Sequence, residues 1–273
     1  MSRELAMTKS LTENSETELV RRANVLGVGI SAINLPQAVE LILDAVQNNR
    51  KGYVAVTGVH GVSEAQTDLE FRNILNNAFL NTPDGMPMSW VGRLQGFREM
   101  DRVYGPDLML ELAAASSSGD VRHFFYGGAP GVADALKETL EARFPGFTVC
   151  GTYTPPFRPL NAQEEVDLVR QMSESRPDIC WVGLSTPKQE RFMAAYLSRL
   201  PVKIMIGVGA AFDMHSGRTK QAPYWMQRTG LEWFFRLTQE PKRLWRRYMV
   251  NNPLFLMRIV AQLTKIRAYP LND

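Results

Sequence analysis

Four stretches of this 273-residue sequence pair chemically capable side chains with turn-forming neighbours. Thr82-Pro83-Asp84-Gly85 holds a carboxylate between a residue of fixed φ and one that takes positive φ easily, just after the apolar run 78–80. A carboxylate so placed is a general-base candidate, although Pro-Asp-Gly is equally an ordinary turn. Gly183-Leu184-Ser185-Thr186-Pro187-Lys188-Gln189-Glu190 leads from a strand-like run into a helix, where Gln189 either hydrogen-bonds a ligand hydroxyl or caps the helix. In Tyr126-Gly127-Gly128-Ala129-Pro130-Gly131, the N–H groups around Gly127 and Gly128 suit a phosphate or a uracil carbonyl, and a plain tight turn is the alternative. Gly207-Val208-Gly209 opens like a dinucleotide fingerprint, but Phe212 stands where a third glycine is needed and no acid follows about 20 positions on. Close helix–strand packing is the better reading of those glycines, and a nicotinamide-dependent oxidoreductase gains little support.

Metal ligands are sparse. His60, His123 and His215 are scattered, Cys150 and Cys180 lie in apolar runs and read as reduced core thiols, and no Asp-x-Asp pair exists. A phosphorylated ligand would then depend on arginines and helix N-termini. Arg243, Arg246 and Arg247 recur at helical spacing after Pro241, with Arg236 upstream. The same residues read equally as a solvated basic face or a lipid headgroup contact.

Ligand sites of α/β proteins gather at the carboxyl ends of strands, so the elements decide where these residues meet. Strand-like runs fall at 25–33, 52–56, 78–80, 122–126, 147–151, 178–183 and 202–208. Several are apolar on both faces, as parallel strands covered by helices are. Helix starts lie between them: Asn34 ahead of Leu35-Pro36, a start after Pro130, and Asn161 with Glu164 at capping-box spacing. The pattern predicts a Rossmann-like α/β fold, mostly parallel sheets flanked by helices, with a helical C-terminal appendage. From Pro223 only helices are expected, with breaks near Gly230, Pro241 and Pro253. This divides the chain into a mobile tail over 1–24, an α/β core over 25–221 and a basic appendage over 222–273.

With 45% hydrophobic and 22% charged residues, the chain can bury an ordinary core. The first 22 residues are rich in Glu, Ser and Thr, which fits neither a signal peptide nor a span, so the expected location is the cytoplasm. The net charge of +3 is unevenly placed: from Arg236 to Arg267 there are eight Lys or Arg and one acid, Glu240. A peripheral membrane or nucleic-acid binding module built on this tail, with Trp233, Trp245 and Tyr248, is the rival from another class.

Seven segments in order resemble the WecG/TagA/CpsF family of glycosyltransferases, also called family twenty-six. They are Val56-Thr57-Gly58-Val59-His60, Thr82 to Pro87, Arg102 to Asp107, Pro187 to Glu190, Gly207 to Asp213, Arg218 through Ala222-Pro223, and Gly230 to Trp233 with Arg236 and Glu240-Pro241. The resemblance covers about 25–257. It implies transfer of a sugar, typically N-acetylmannosamine from a UDP donor, to a polyprenyl-diphosphate-linked saccharide at the inner face of the cytoplasmic membrane. Inversion without metal or other cofactor is implied, nucleic acid is not a partner, and a homo-oligomer is compatible with it. The implied base is Asp84; Arg102 and Gln189 line the pocket, and Arg236, Arg243 and Arg246 close over it to hold the diphosphate. Thr57 and His60 stand in the first segment, where the family often has Asn near Thr, a departure that leaves the donor sugar open.

Overall fold

The structure, a computed structural model, describes residues 20–271. Six strands form one parallel sheet: β3 (Gly52–Thr57), β4 (Leu80–Pro83), β5 (Arg122–Gly127), β6 (Thr148–Tyr153), β7 (Ile179–Gly183) and β8 (Ile204–Gly207), in the order β4-β3-β8-β7-β5-β6. Side chains alternate between two cores, as the period of a strand requires. Tyr53, Ala55, Phe124, Tyr126, Cys180, Val182 and Met205 enter one. Val54, Val56, Phe125, Ile179, Trp181, Ile204 and Ile206 enter the other. Burial on both faces is what made these runs apolar throughout.

Helices cover both faces. One carries α1 (Leu35–Gln47), α5 (Gly105–Ala115), α6 (Val132–Arg143) and α9 (Ala211–His215). The other carries α2 (Val59–Glu64), α3 (Leu69–Asn76), α4 (Met86–Leu94), α7 (Ala162–Ser175) and α8 (Lys188–Tyr196). The α/β class expected from the sequence is the observed one. Asn34 and Asn161 each cap a helix through a full capping box with Gln37 and Glu164.

The run 25–33 is not one strand. Leu26 and Gly27 both take positive φ, 56° and 82°, which makes a two-residue hairpin turn between β1 (Arg22–Val25) and β2 (Val28–Ser31). Ala23 and Val25 of β1 are fully buried, so ordered chain begins inside the segment expected to be a tail, the rest of which (1–19) lies outside the described residues. The hairpin shields the edge of the sheet: Asn81 of β4 donates its backbone N–H to Ser31 Oγ at 3.0 Å and its side-chain amide to the Gly29 carbonyl at 3.1 Å.

After residue 221 come α10 (Tyr224–Arg228), α11 (Glu232–Gln239) and α12 (Pro241–Leu263). The break expected at Pro253 is absent, because α12 runs through it for 23 residues. Leu244 is buried before the proline and Phe255 and Ile259 after it, so packing holds the helix where propensity would end it. Phe255 and Ile259 join the hairpin's core. Gln262 accepts from the Leu26 N–H at 2.9 Å and donates to the Asn24 carbonyl at 2.9 Å.

Candidate active site

Asp84 follows β4 directly. Its backbone N–H donates to the Thr57 carbonyl of the neighbouring strand at 3.0 Å, and Gly85, at φ 83°, starts α4 with Pro87 in its first turn. The turn and the site are one structure, since the turn aims the carboxylate over the carboxyl ends of β3 and β4. Among the described residues the carboxylate accepts no hydrogen bond, and it keeps an opening to solvent although protein surrounds it closely. Burial, reinforced by the nearby Glu232 carboxylate, pushes its pKa up to about 7 against the pull of Arg102, Arg236 and Arg247. A carboxylate titrating near neutrality is suited to accept a proton and release it again.

The arginines around it are of two kinds. Arg102 is occupied: it donates to Gln227 Oε1 at 2.9 Å and Glu232 Oε2 at 3.0 Å, lies 3.4 Å from Asp107, and stacks 3.9 Å over the Tyr104 ring. It braces the core against α10 and α11. Arg236 and Arg247 make no ion pair among the described residues, although both lie within electrostatic reach of Asp84. Burial, with Arg236 and Arg243 as like charges nearby, lowers the Arg247 pKa to about 10, and its buried Nε finds no acceptor. Two unpaired guanidinium groups beside a carboxylate form a place for an anion that the protein does not itself supply.

Arg243 and Arg246 are not brought to Asp84. Arg243 pairs with Glu240 at 2.5 Å on the outside of α12, and Arg246 is exposed. The reason is helical phase. Leu244, Phe255 and Ile259 mark the buried stripe; at 3.6 residues per turn Arg247 lies about 60° from Leu244, Arg243 about 100° and Arg246 about 160°. Phase relative to the buried residues singles out Arg247, but α12 also carries exposed Trp245, Met249, Leu256 and Met257, so which apolar residues set the phase is decided by the fold.

A second group lies at the ends of β3 and β7. Thr57 is buried with its hydroxyl unpartnered, and His60 sits on α2 with its Nδ1 making no hydrogen bond and lying 3.6 Å from Glu64 Oε1. Burial, then the Arg247 charge, drives the His60 pKa down to about 4 against a hydrogen bond with the Thr186 backbone, so its ring is neutral at pH 7. Gln189 donates to Glu190 Oε1 at 3.0 Å and leaves its own buried Oε1 free. Thr186 donates to the same carboxylate oxygen at 2.9 Å. Burial raises the Glu190 pKa, with these hydrogen bonds and Arg247 opposing. Glu190 and Glu232 thus take part in the site through Gln189 and Arg102, a role invisible in sequence because it depends on partners that folding brings together.

Gly127 and Gly128 serve packing. The Gly128 N–H, a candidate for holding a ligand, donates to the Gly183 carbonyl at 3.0 Å. A Cβ on Gly127 would lie 2.6 Å from that same carbonyl oxygen, and one on Gly183 2.5 Å from the Phe212 ring. At the end of β8, a Cβ on Gly207 would meet Met193 and Gln189, the close helix–strand approach expected there in place of a dinucleotide loop. His123 is a core residue, accepting from Trp181 Nε1 at 3.0 Å.

Fold and site together define an α/β protein whose carboxylate and unpaired arginines face one another across the carboxyl ends of a parallel sheet. The chain belongs to the glycosyl transferase WecG/TagA/CpsF family, whose sequence profile matches residues 23–269. Relatives include the N-acetylglucosaminyldiphosphoundecaprenol N-acetyl-beta-D-mannosaminyltransferase of Bacillus subtilis strain 168, 30% identical over 71% of this chain and 73% of the relative. The enzymes of the same name from Bacillus spizizenii and Staphylococcus aureus MRSA252 are 29% identical over 79% of this chain and 81% of theirs, and 24% identical over 94% and 98%.

Proposed function

We propose that the chain transfers N-acetylmannosamine or a related hexose from a UDP donor to a polyprenyl-diphosphate-linked N-acetylglucosamine, with inversion and without a metal ion. The observation that carries this reading is Asp84, unpartnered and titrating near 7, beside the ion-pair-free Arg236 and Arg247. Asp84 takes the proton of the acceptor hydroxyl as that oxygen bonds to the anomeric carbon, and the bond from that carbon to the UDP oxygen breaks on the opposite face. One displacement inverts the centre. The charge that grows on the departing diphosphate falls to Arg236 and Arg247, a role a divalent ion often fills. The free Oε1 of Gln189 and the Thr57 hydroxyl are suited to a sugar's hydroxyl and amide groups, with His60 offering a neutral ring.

The acceptor is a lipid, and α12 supports contact with the inner face of the cytoplasmic membrane. No helix among the described residues is long and apolar enough to cross a membrane. Trp245, Met249, Val250, Leu256 and Met257 are nevertheless exposed on α12, with Trp225 and Phe234 before it and the exposed Lys242, Arg243 and Arg246 among them. An apolar face with basic flanks is what an interfacial helix needs.

The test is product analysis with a panel of UDP-sugars and a short-chain lipid-diphosphate N-acetylglucosamine. A new β-linked disaccharide, formed in chelator and lost in Asp84→Asn, is expected. Turnover by Asp84→Asn above about a tenth of normal would remove Asp84 as the base, given the size of general-base effects.

A further inference from the structure

Arg102 and Asp84 are neighbours through the backbone. The Val103 N–H donates to the Pro83 carbonyl at 2.8 Å, which joins the peptide unit following Arg102 to the one preceding Asp84. The Arg102 charge also acts on Asp84 more strongly than those of Arg236 and Arg247. A guanidinium with that reach is drawn to a carboxylate, yet the two are not paired. Among the described residues Arg102 instead meets Asp107 at 3.4 Å, Glu232 at 3.0 Å and Gln227 Oε1 at 2.9 Å. Two of these partners come from beyond Pro223: Gln227 on α10, which itself donates to the Ala222 carbonyl at 2.7 Å, and Glu232 in the first turn of α11. The side chains of Arg102 and Glu232 are 4% and 16% exposed, so solvent screens their attraction little. Beside them, Arg228 of α10 reaches Asp101 at 3.1 Å in a more exposed pair.

We infer that Glu232 is a positioning residue for the base: by holding the Arg102 guanidinium it keeps that group off Asp84 and leaves the carboxylate unpaired. This role goes beyond bracing α11 against the core, and it rests on Asp84 being the base of the proposed reaction. Asp84 is faced by Arg102 and the Tyr104 hydroxyl from the stretch before α5, by Glu232 and Arg236 from α11, and by Arg247 from α12. Glu232 is the negative charge in this set, so it favours the protonated carboxyl directly as well as by restraining Arg102. Glu232 and Arg236 stand four residues apart on α11 and therefore arrive on one face of one helix. Docking of α11 thus frees the base and brings up charge for the leaving group in a single event.

The Asp84 carboxyl is titrated by NMR in the full chain isotope-labelled at aspartate, its signal identified by its loss in Asp84→Asn. The wild-type midpoint is expected at about 7. In Glu232→Gln it is expected to fall by about 1–3 pH units, the effect of an opposite charge brought close, and an unmoved midpoint overturns the role. Arg228→Gln cuts the neighbouring tie between α10 and the core and is expected to leave the midpoint in place. An equal fall in that variant overturns Glu232 in favour of docking as such. A crystal structure of Glu232→Ala is expected to show Arg102 within about 4 Å of Asp84. Arg102 still held by Gln227 and Asp107, away from Asp84, reduces Glu232 to its charge and overturns the restraint. In transfer assays, Glu232→Gln is expected to move the acid limb of kcat down with the NMR midpoint and to lower the plateau about tenfold, with donor KM little changed, as a weaker base does. A raised KM with an unmoved acid limb marks a loosened fold and counts against the role. If wild type transfers no sugar, the proposed reaction falls, while the titration and the crystal structure still decide whether Glu232 keeps Arg102 from Asp84.

Discussion

Asp84 is held against its own ionisation. Its raised pKa means the folded protein binds a proton there that the unfolded chain has released by about pH 4, so this group's contribution to stability declines as pH rises from about 4 through 7. Asp84→Asn is therefore expected to be more stable than wild type at pH 8, by on the order of 1–2 kcal/mol once solvent screening at the open face is allowed for, and the gap should narrow at pH 5. Thermal melts at the two pH values measure this; a gap that widens at pH 5 contradicts it. Catalysis runs the other way, since the base must be ionised, so kcat should fall below about pH 7. Arg247→Ala should lower kcat by about 10² or more, while Arg246→Ala should stay within about twofold on a soluble acceptor. Asp84 was legible because a strand-end turn announces itself in local sequence. Arg247 was not, because which of three neighbouring arginines turns inward is decided by Leu244, Phe255 and Ile259 packing elsewhere.

At the scale of elements, the sequence showed β3, β5, β7 and β8 through their doubly apolar runs and two helix starts through their caps, whereas β4, expected over 78–80, runs over Leu80–Pro83 and carries the polar Asn81 and Thr82. The sequence concealed the β1–β2 hairpin, whose turn uses Leu26 where glycine or asparagine is usual. It also concealed how α12 joins the core. A chain read as core plus appendage invites removal of the appendage, yet Phe255 and Ile259 are buried against the hairpin and Gln262 bonds it at two points. Truncation after Gly230 should thus do more than inactivate. Exposing those two side chains' binding site costs about 1.5–3 kcal/mol for each, and the edge strand β4 loses the support of its cover. A markedly lowered melting temperature with aggregation is expected, and a truncated chain that melts like wild type would show that the hairpin stands without α12.

For the whole molecule, most of the exposed large apolar side chains after residue 224 lie on α10 to α12, with the exposed Lys242, Arg243 and Arg246 among those of α12. Composition announced the charge of this region, but the division of its apolar residues between core and surface needed the fold. Phe255 faces inward, whereas Trp245 and Leu256 face out. Trp245→Ser/Leu256→Ser should reduce transfer to a long-chain acceptor in vesicles by about tenfold or more while leaving a short soluble acceptor nearly unaffected, because only the first substrate requires the interface. Equal losses on both acceptors would assign these residues to the fold instead.

Pro253 gives the long helix an uneven temper. Lacking an N–H, it cannot donate to the carbonyl one turn earlier, so the ladder of α12 has a missing rung between Leu244 and Phe255. On the far side, two buried side chains and Gln262 hold the helix to the hairpin; on the near side, where Arg247 lies, Leu244 is the one fully buried anchor. Amide exchange should therefore be faster before Pro253 than after it, by a factor that reports local opening. The half that carries the charge for the leaving group is the half able to lift, so nucleotide can leave while the helix stays moored at its other end.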